Sequence, residues 1–101
     1  MKLLLITAIT EFESDIKNML KNAKVKSFSY KNVVGYNDVS EEAIETNWFA
    51  SEMNETDSIL FYAFVDKENV DLFFEIVKDF NAKQETFSQI HVASLNIEKS
   101  N

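Results

Sequence analysis

The chain has 101 residues, 46% of them hydrophobic and 27% charged, the size and balance of one domain that can bury a core without covalent staples. Seventeen acids face ten basic residues, all Lys, for a net charge of −7, which argues against a nucleic-acid partner. The absence of Cys excludes disulfides, thiol catalysis and Cys-ligated metal centres. One Gly and no Pro leave no glycine-rich phosphate loop of the GxGxxG or GxxxxGK[ST] type.

The first residues, Met1 to Ile9, mimic the charged and apolar regions of a signal peptide. Acidic Glu11, Glu13 and Asp15 follow directly, with no small-residue cleavage site. The run is also about half of what a bilayer span needs. It reads as a strand over residues 2–9 buried on both faces, in a cytoplasmic protein with no direct membrane insertion. Thr10, three residues before Glu13, has the spacing of a capping box. Phe12, Ile16, Met19, Leu20 and Ala23 then form the stripe of an amphipathic helix over about residues 11–23.

Phe28, Tyr30, Val34 and Tyr36 share one parity among polar neighbours, as in a strand with one apolar face. Gly35, near its end, is placed for a bulge or a close backbone approach. Residues 37–57 keep neither a period of 2 nor one of 3.6, so they read as a long loop, a class that is usually functional or disordered. Ser58 to Val65 is a strand apolar on both parities. Asp66 is placed as an N-cap with Val65 and Val70 as its hydrophobic staple. Val70, Phe73, Phe74, Val77 and Phe80 form a second helical stripe over about residues 67–80, and a last strand runs from Gln89 to Ile97.

The order βαββαβ predicts an α+β, ferredoxin-like sandwich: one four-stranded antiparallel sheet with two helices on one face. Two helices cover only one sheet face. Yet Leu3 and Leu5 oppose Leu4 and Ile6, and Leu60, Tyr62 and Phe64 oppose Ile59, Phe61 and Ala63. At about 25 cal/mol per Å², covering that second face is worth several kcal/mol, so a homo-oligomer built on it is expected.

Asp38, Glu41, Glu42, Glu45, Glu52, Glu55 and Asp57 place seven acids and no Lys in the long loop. The rest of the chain is thus balanced, ten acids against ten Lys. Three readings stay open: a solvated loop, a cation site built of carboxylates, or an electrostatic dock for a basic partner. Trp48, Phe49 and Met53 lie within this acidic stretch. They suit packing of the loop on its own assembly, anchoring of a partner protein, or the wall of a small-ligand pocket. His91 is the only His; it is either a hydrogen-bonded structural group or, with Glu52 and Met53, a metal ligand. No nucleophile motif or paired acid–base spacing supports an enzyme.

Lys31-Asn32-Val33-Val34-Gly35-Tyr36 resembles the Val-x-Gly-Phe/Tyr end of the second strand in the nitrogen-regulatory PII-like superfamily. Residues 37–57 fall where the T-loop of those proteins projects, and Gln89-Ile90-His91-Val92 resembles the Lys-Ile-Phe-Val of their last strand. The resemblance implies a homotrimeric signalling protein. Its loop, with Gly35, Tyr36, Asp38, Glu41, Glu42, Glu45, Trp48, Phe49, Glu52 and Met53 as contact residues, would meet a target transporter or enzyme under control of a small ligand or cation. ATP and 2-oxoglutarate binding is not carried over. Asn37-Asp38-Val39 stands where Gly-Arg-Gln is expected, and Asn81 to Ser88 replaces the glycine-rich connection. The CutA cation-tolerance family is similar in fold, and the alternative it implies is a divalent- or soft-metal-binding protein using His91, Glu52 and Met53.

Overall fold

The computed structural model describes residues 1–36, 55–85 and 87–101. The expected order is observed: β1 (Lys2–Ile9), α1 (Glu13–Asn22), β2 (Ser29–Tyr36), β3 (Glu55–Val65), α2 (Lys67–Ala82) and β4 (His91–Asn96). The four strands form one antiparallel sheet in the order β2-β3-β1-β4, the α+β ferredoxin-like arrangement. The central strands β1 and β3 are those apolar on both parities.

Cross-strand partners share a face. Leu4, Ile6 and Ala8 of β1 stand opposite Ala63, Phe61 and Ile59 of β3. All six are buried, together with Ile16, Met19 and Leu20 of α1 and Val70, Phe73 and Val77 of α2. The apolar stripes of both helices therefore close on the same sheet face. Phe12, just before α1, meets Phe80 of α2 edge-on at 5.1 Å, which ties the start of one helix to the end of the other.

On the opposite face Leu3 pairs with Phe64 and Leu95, and Leu5 with Tyr62 and Ala93. No helix among the described residues covers them. Phe64 is 59% exposed, and Tyr62 and Leu95 are exposed as well.

Four local expectations are corrected. The segment before α1 is a 3-10 turn over Thr10–Phe12, so Thr10 lies inside the turn rather than ahead of a helix and makes no capping bond. Its Oγ1 is buried without a hydrogen-bond partner among the described residues. Glu13 instead pairs with Lys17 one turn on, at 2.9 Å. Asp66 takes the N-cap position of α2 with extended backbone, but its side chain makes no capping bond; its carbonyl accepts from Asn69 and Val70. The apolar parity of β2 is covered only at its start: Phe28 is partly buried, whereas Val34 and Tyr36 are exposed, because β2 is an edge strand opposite Asp57 and Glu55 there. Finally, β3 begins at Glu55, since ladder pairing continues to Tyr36↔Glu55, so residues 55–57 belong to the sheet and not to the loop.

Candidate functional site

The helix-free sheet face carries a cleft of about 330 Å³ near the β2 and β3 ends that flank residues 37–54. Four strands meet there. Thr7 and Ile9 come from the end of β1, Gly35 and Tyr36 from the end of β2, Thr56 and Ser58 from the start of β3, and His91 from β4. Register accounts for the gathering: His91 stands opposite Thr7, and Gly35 opposite Thr56.

Gly35 makes the close approach expected of it, with no bulge in the ladder. A Cβ there would lie 2.7 Å from Ser58 Oγ and 3.1 Å from Thr56 Oγ1, so only glycine lets both hydroxyl groups stand beside that strand. The approach into β4 is held by Asn81 near the end of α2. Its Oδ1 accepts from the Ile90 amide at 2.8 Å, and its Nδ2 donates to the Ile90 carbonyl at 2.9 Å. This two-bond clamp satisfies both backbone groups of a buried residue and sets where Gln89 and His91, also cleft residues, present their side chains.

Among the described residues the cleft is lined by hydroxyls, one imidazole and one amide beside apolar Ile9 and Tyr36, with no Lys or carboxylate. That set can donate and accept hydrogen bonds to a small polar ligand but supplies no fixed positive charge for a polyphosphate.

Three of the sequence candidates therefore come together: Gly35, Tyr36 and His91. Asp38, Glu41, Glu42, Glu45, Trp48, Phe49, Glu52 and Met53 lie outside the described residues. Among the described residues no three His, Asp or Glu side chains gather as metal ligands, so His91 stands without the described carboxylates such a site needs. Thr7, Thr56, Ser58 and Gln89 were not foreseen. The available signal is parity: Thr56 and Ser58 alternate on the same face as Leu60, where polar residues interrupt an otherwise apolar stripe.

No helix among the described residues is long and apolar enough to cross a membrane. No protein-family model matches the chain, and no curated protein matches it. Among solved structures, the chain is similar to CPII, a nitrogen regulatory PII-like protein from Thiomonas intermedia K12, solved bound to ADP, AMP and bicarbonate. The similarity covers 99% of this chain and 94% of that one, with a TM-score of 0.63 and 16% identity. The chain has the fold of the PII-like regulatory proteins.

Proposed function

We propose that this chain is a PII-like regulatory protein that works as a homotrimer assembled on the helix-free sheet face. Its 37–57 segment contacts a target protein, a transporter or an enzyme, and a small ligand or cation in the strand-end cleft controls that contact. One observation carries the reading: the cleft includes Gly35 and Tyr36 on one side and Thr56 on the other, at the strand ends that flank residues 37–54. A ligand that binds them better in one arrangement of the segment shifts the population toward it. The exposed Tyr62, Phe64 and Leu95 support assembly, because an apolar patch of this kind marks an interaction surface.

CPII, of similar fold, was solved with ADP, AMP and bicarbonate. The cleft here lacks lining Lys, so a mononucleotide or a small anion suits it better than a triphosphate.

Light scattering on the eluting protein is expected to give about three times the 11.7 kDa chain mass; a monomer at micromolar concentration refutes the trimer. Calorimetric titration with AMP, ADP, bicarbonate, divalent cations and Cu(I) tests the cleft, and a flat trace with all of them removes ligand control. Deleting residues 40–54 is expected to spare folding and to abolish capture of the target; retained capture refutes the role of the segment.

A further inference from the structure

The charge on the described surface is segregated. From Ile16 to Asn37 the chain has five Lys and no acid, against a net −7 overall. Four of those lysines, Lys17, Lys21, Lys24 and Lys26, rim a groove of about 650 Å³ beside α1, with Val25 and Phe28 at its floor. Among the described residues only Lys17 is in an ion pair, with Glu13. Lys24 also occupies a backbone position that disfavours it. Its φ is 64°, and the bonds Lys24 N–H to Lys21 C=O and Val25 N–H to Leu20 C=O are those of a Schellman motif, in which glycine is the usual residue. A left-handed Lys costs about 1–2 kcal/mol and sets a further cation on the groove.

The other helix has the opposite character. On α2, Glu68, Asp71, Glu75 and Asp79 are all exposed. Spacings of three and four residues put them on one stripe, opposite buried Val70, Phe73 and Val77. Leu72, 41% exposed, interrupts this acidic stripe as an apolar knob. At 1.5 Å rise per residue, Glu68 to Asp79 spans about 16 Å along α2 and Lys17 to Lys21 about 6 Å along α1, whose end at Asn22 is followed directly by Lys24 and Lys26, so the acidic stripe is long enough to reach the helical lysines and those just past the helix end.

The geometry points to a contact between copies: the acidic stripe of α2, with Leu72 at its centre, docks in the lysine-rimmed groove beside α1 of a second copy. Charge complementarity selects the register and orientation, and Val25 and Phe28 take the apolar knob. Because the two surfaces lie on the helix layer, the contact is separate from assembly on the helix-free sheet face and stands or falls without it. Exposed charge pairs of this kind are screened within about 10 Å at 0.1 M salt, so the association is reversible and salt-sensitive.

The test is sedimentation of the full chain at 50 and 500 mM salt over a range of concentrations. Wild type is expected to form, at low salt only, a species at least twice the mass of the high-salt one. Lys21→Glu/Lys24→Glu and Asp71→Lys/Glu75→Lys, all at exposed positions, should each weaken this step about tenfold or more while keeping the wild-type circular dichroism. An equimolar mixture of the two variants should restore it, since the reversed groove of one meets the reversed stripe of the other. A mass that does not change with salt, or a mixture that fails to associate, overturns the proposal. So does loss of the step in Glu41→Lys/Glu42→Lys with α2 intact, which would make the 37–57 segment the occupant.

Discussion

Gly35 lies so close to Ser58, diagonally across the β2–β3 ladder, that a single added carbon would sit 2.7 Å from the serine oxygen. Ser58 Oγ ends a short side chain and can swing aside, but Thr56 Oγ1, at 3.1 Å, blocks part of the relief. Gly35→Ala is therefore expected to cost about 1 kcal/mol, the low end for an overpacked site, seen as a lower urea midpoint. Ser58→Ala in the same chain removes the clashing oxygen and should recover most of that loss. A double variant no better than Gly35→Ala alone would show that the strain lies elsewhere.

The Asn81 clamp predicts an asymmetric series. Asn81→Ala leaves the amide and carbonyl of buried Ile90 unpaired and should destabilise by about 2 kcal/mol, roughly 1 per lost bond. Asn81→Asp keeps the acceptor for the Ile90 amide but loses the donor to its carbonyl, so its urea midpoint should fall in between. Hydrogen exchange at the Ile90 amide separates the two: protection is lost in the alanine variant and largely kept in the aspartate variant.

The element order and the two-faced central strands were legible because hydrophobic periodicity is a local property that packing here leaves unchanged. Caps were not. The Thr10–Glu13 spacing is that of a capping box, but a 3-10 turn begins one residue early and removes the geometry the box needs. The parity of Tyr30, Val34 and Tyr36 is read correctly as one face; their exposure follows from β2 being an edge strand, a matter of strand order that periodicity does not contain. Gly35, Tyr36 and His91 could be named one by one. Their meeting with Thr7, Thr56 and Ser58 depends on register across four strands, and short polar residues in strands leave no motif.

Lys17 gives a pH dependence with a definite sign. Its hydrogen bond to the Tyr30 hydroxyl at 3.0 Å, then its bond to Glu13, raise its pKa above the ordinary 10.5. A group raised in the folded state stabilises it fully below the unfolded value, and the benefit disappears as pH climbs through the folded value. The stability advantage of wild type over Lys17→Met should therefore be constant near neutrality and shrink above pH 10.5. Urea midpoints of both proteins between about pH 8 and 12 check this; an advantage that grows with pH would contradict it.

Lys24→Gly is expected to stabilise the chain by about 1 kcal/mol. The substitution relieves a left-handed backbone, against which the greater freedom of glycine in the unfolded chain takes back part of the gain. The thermal midpoint should rise, by about 4–8 °C per kcal/mol for a domain of this size. The same change removes one cation from the groove beside α1, so the low-salt association should weaken while the fold gains stability. Opposite signs in the two measurements are not expected of a residue with only a structural role.

Phe64→Glu separates assembly from folding. Phe64 is 59% exposed on the helix-free face, whereas its β3 neighbours Ala63 and Val65 are buried. A carboxylate there remains hydrated in a monomer and costs the isolated fold little. Within an interface on that face it would be a buried, unpaired charge, and removal of such a group from water is worth several kcal/mol. Phe64→Glu is therefore expected to elute at the monomer mass with its circular dichroism unchanged, and Lys83→Glu, which reverses an exposed charge just past the end of α2 and outside this face, at the mass of wild type. If both variants keep the wild-type mass, the assembly is built on another surface.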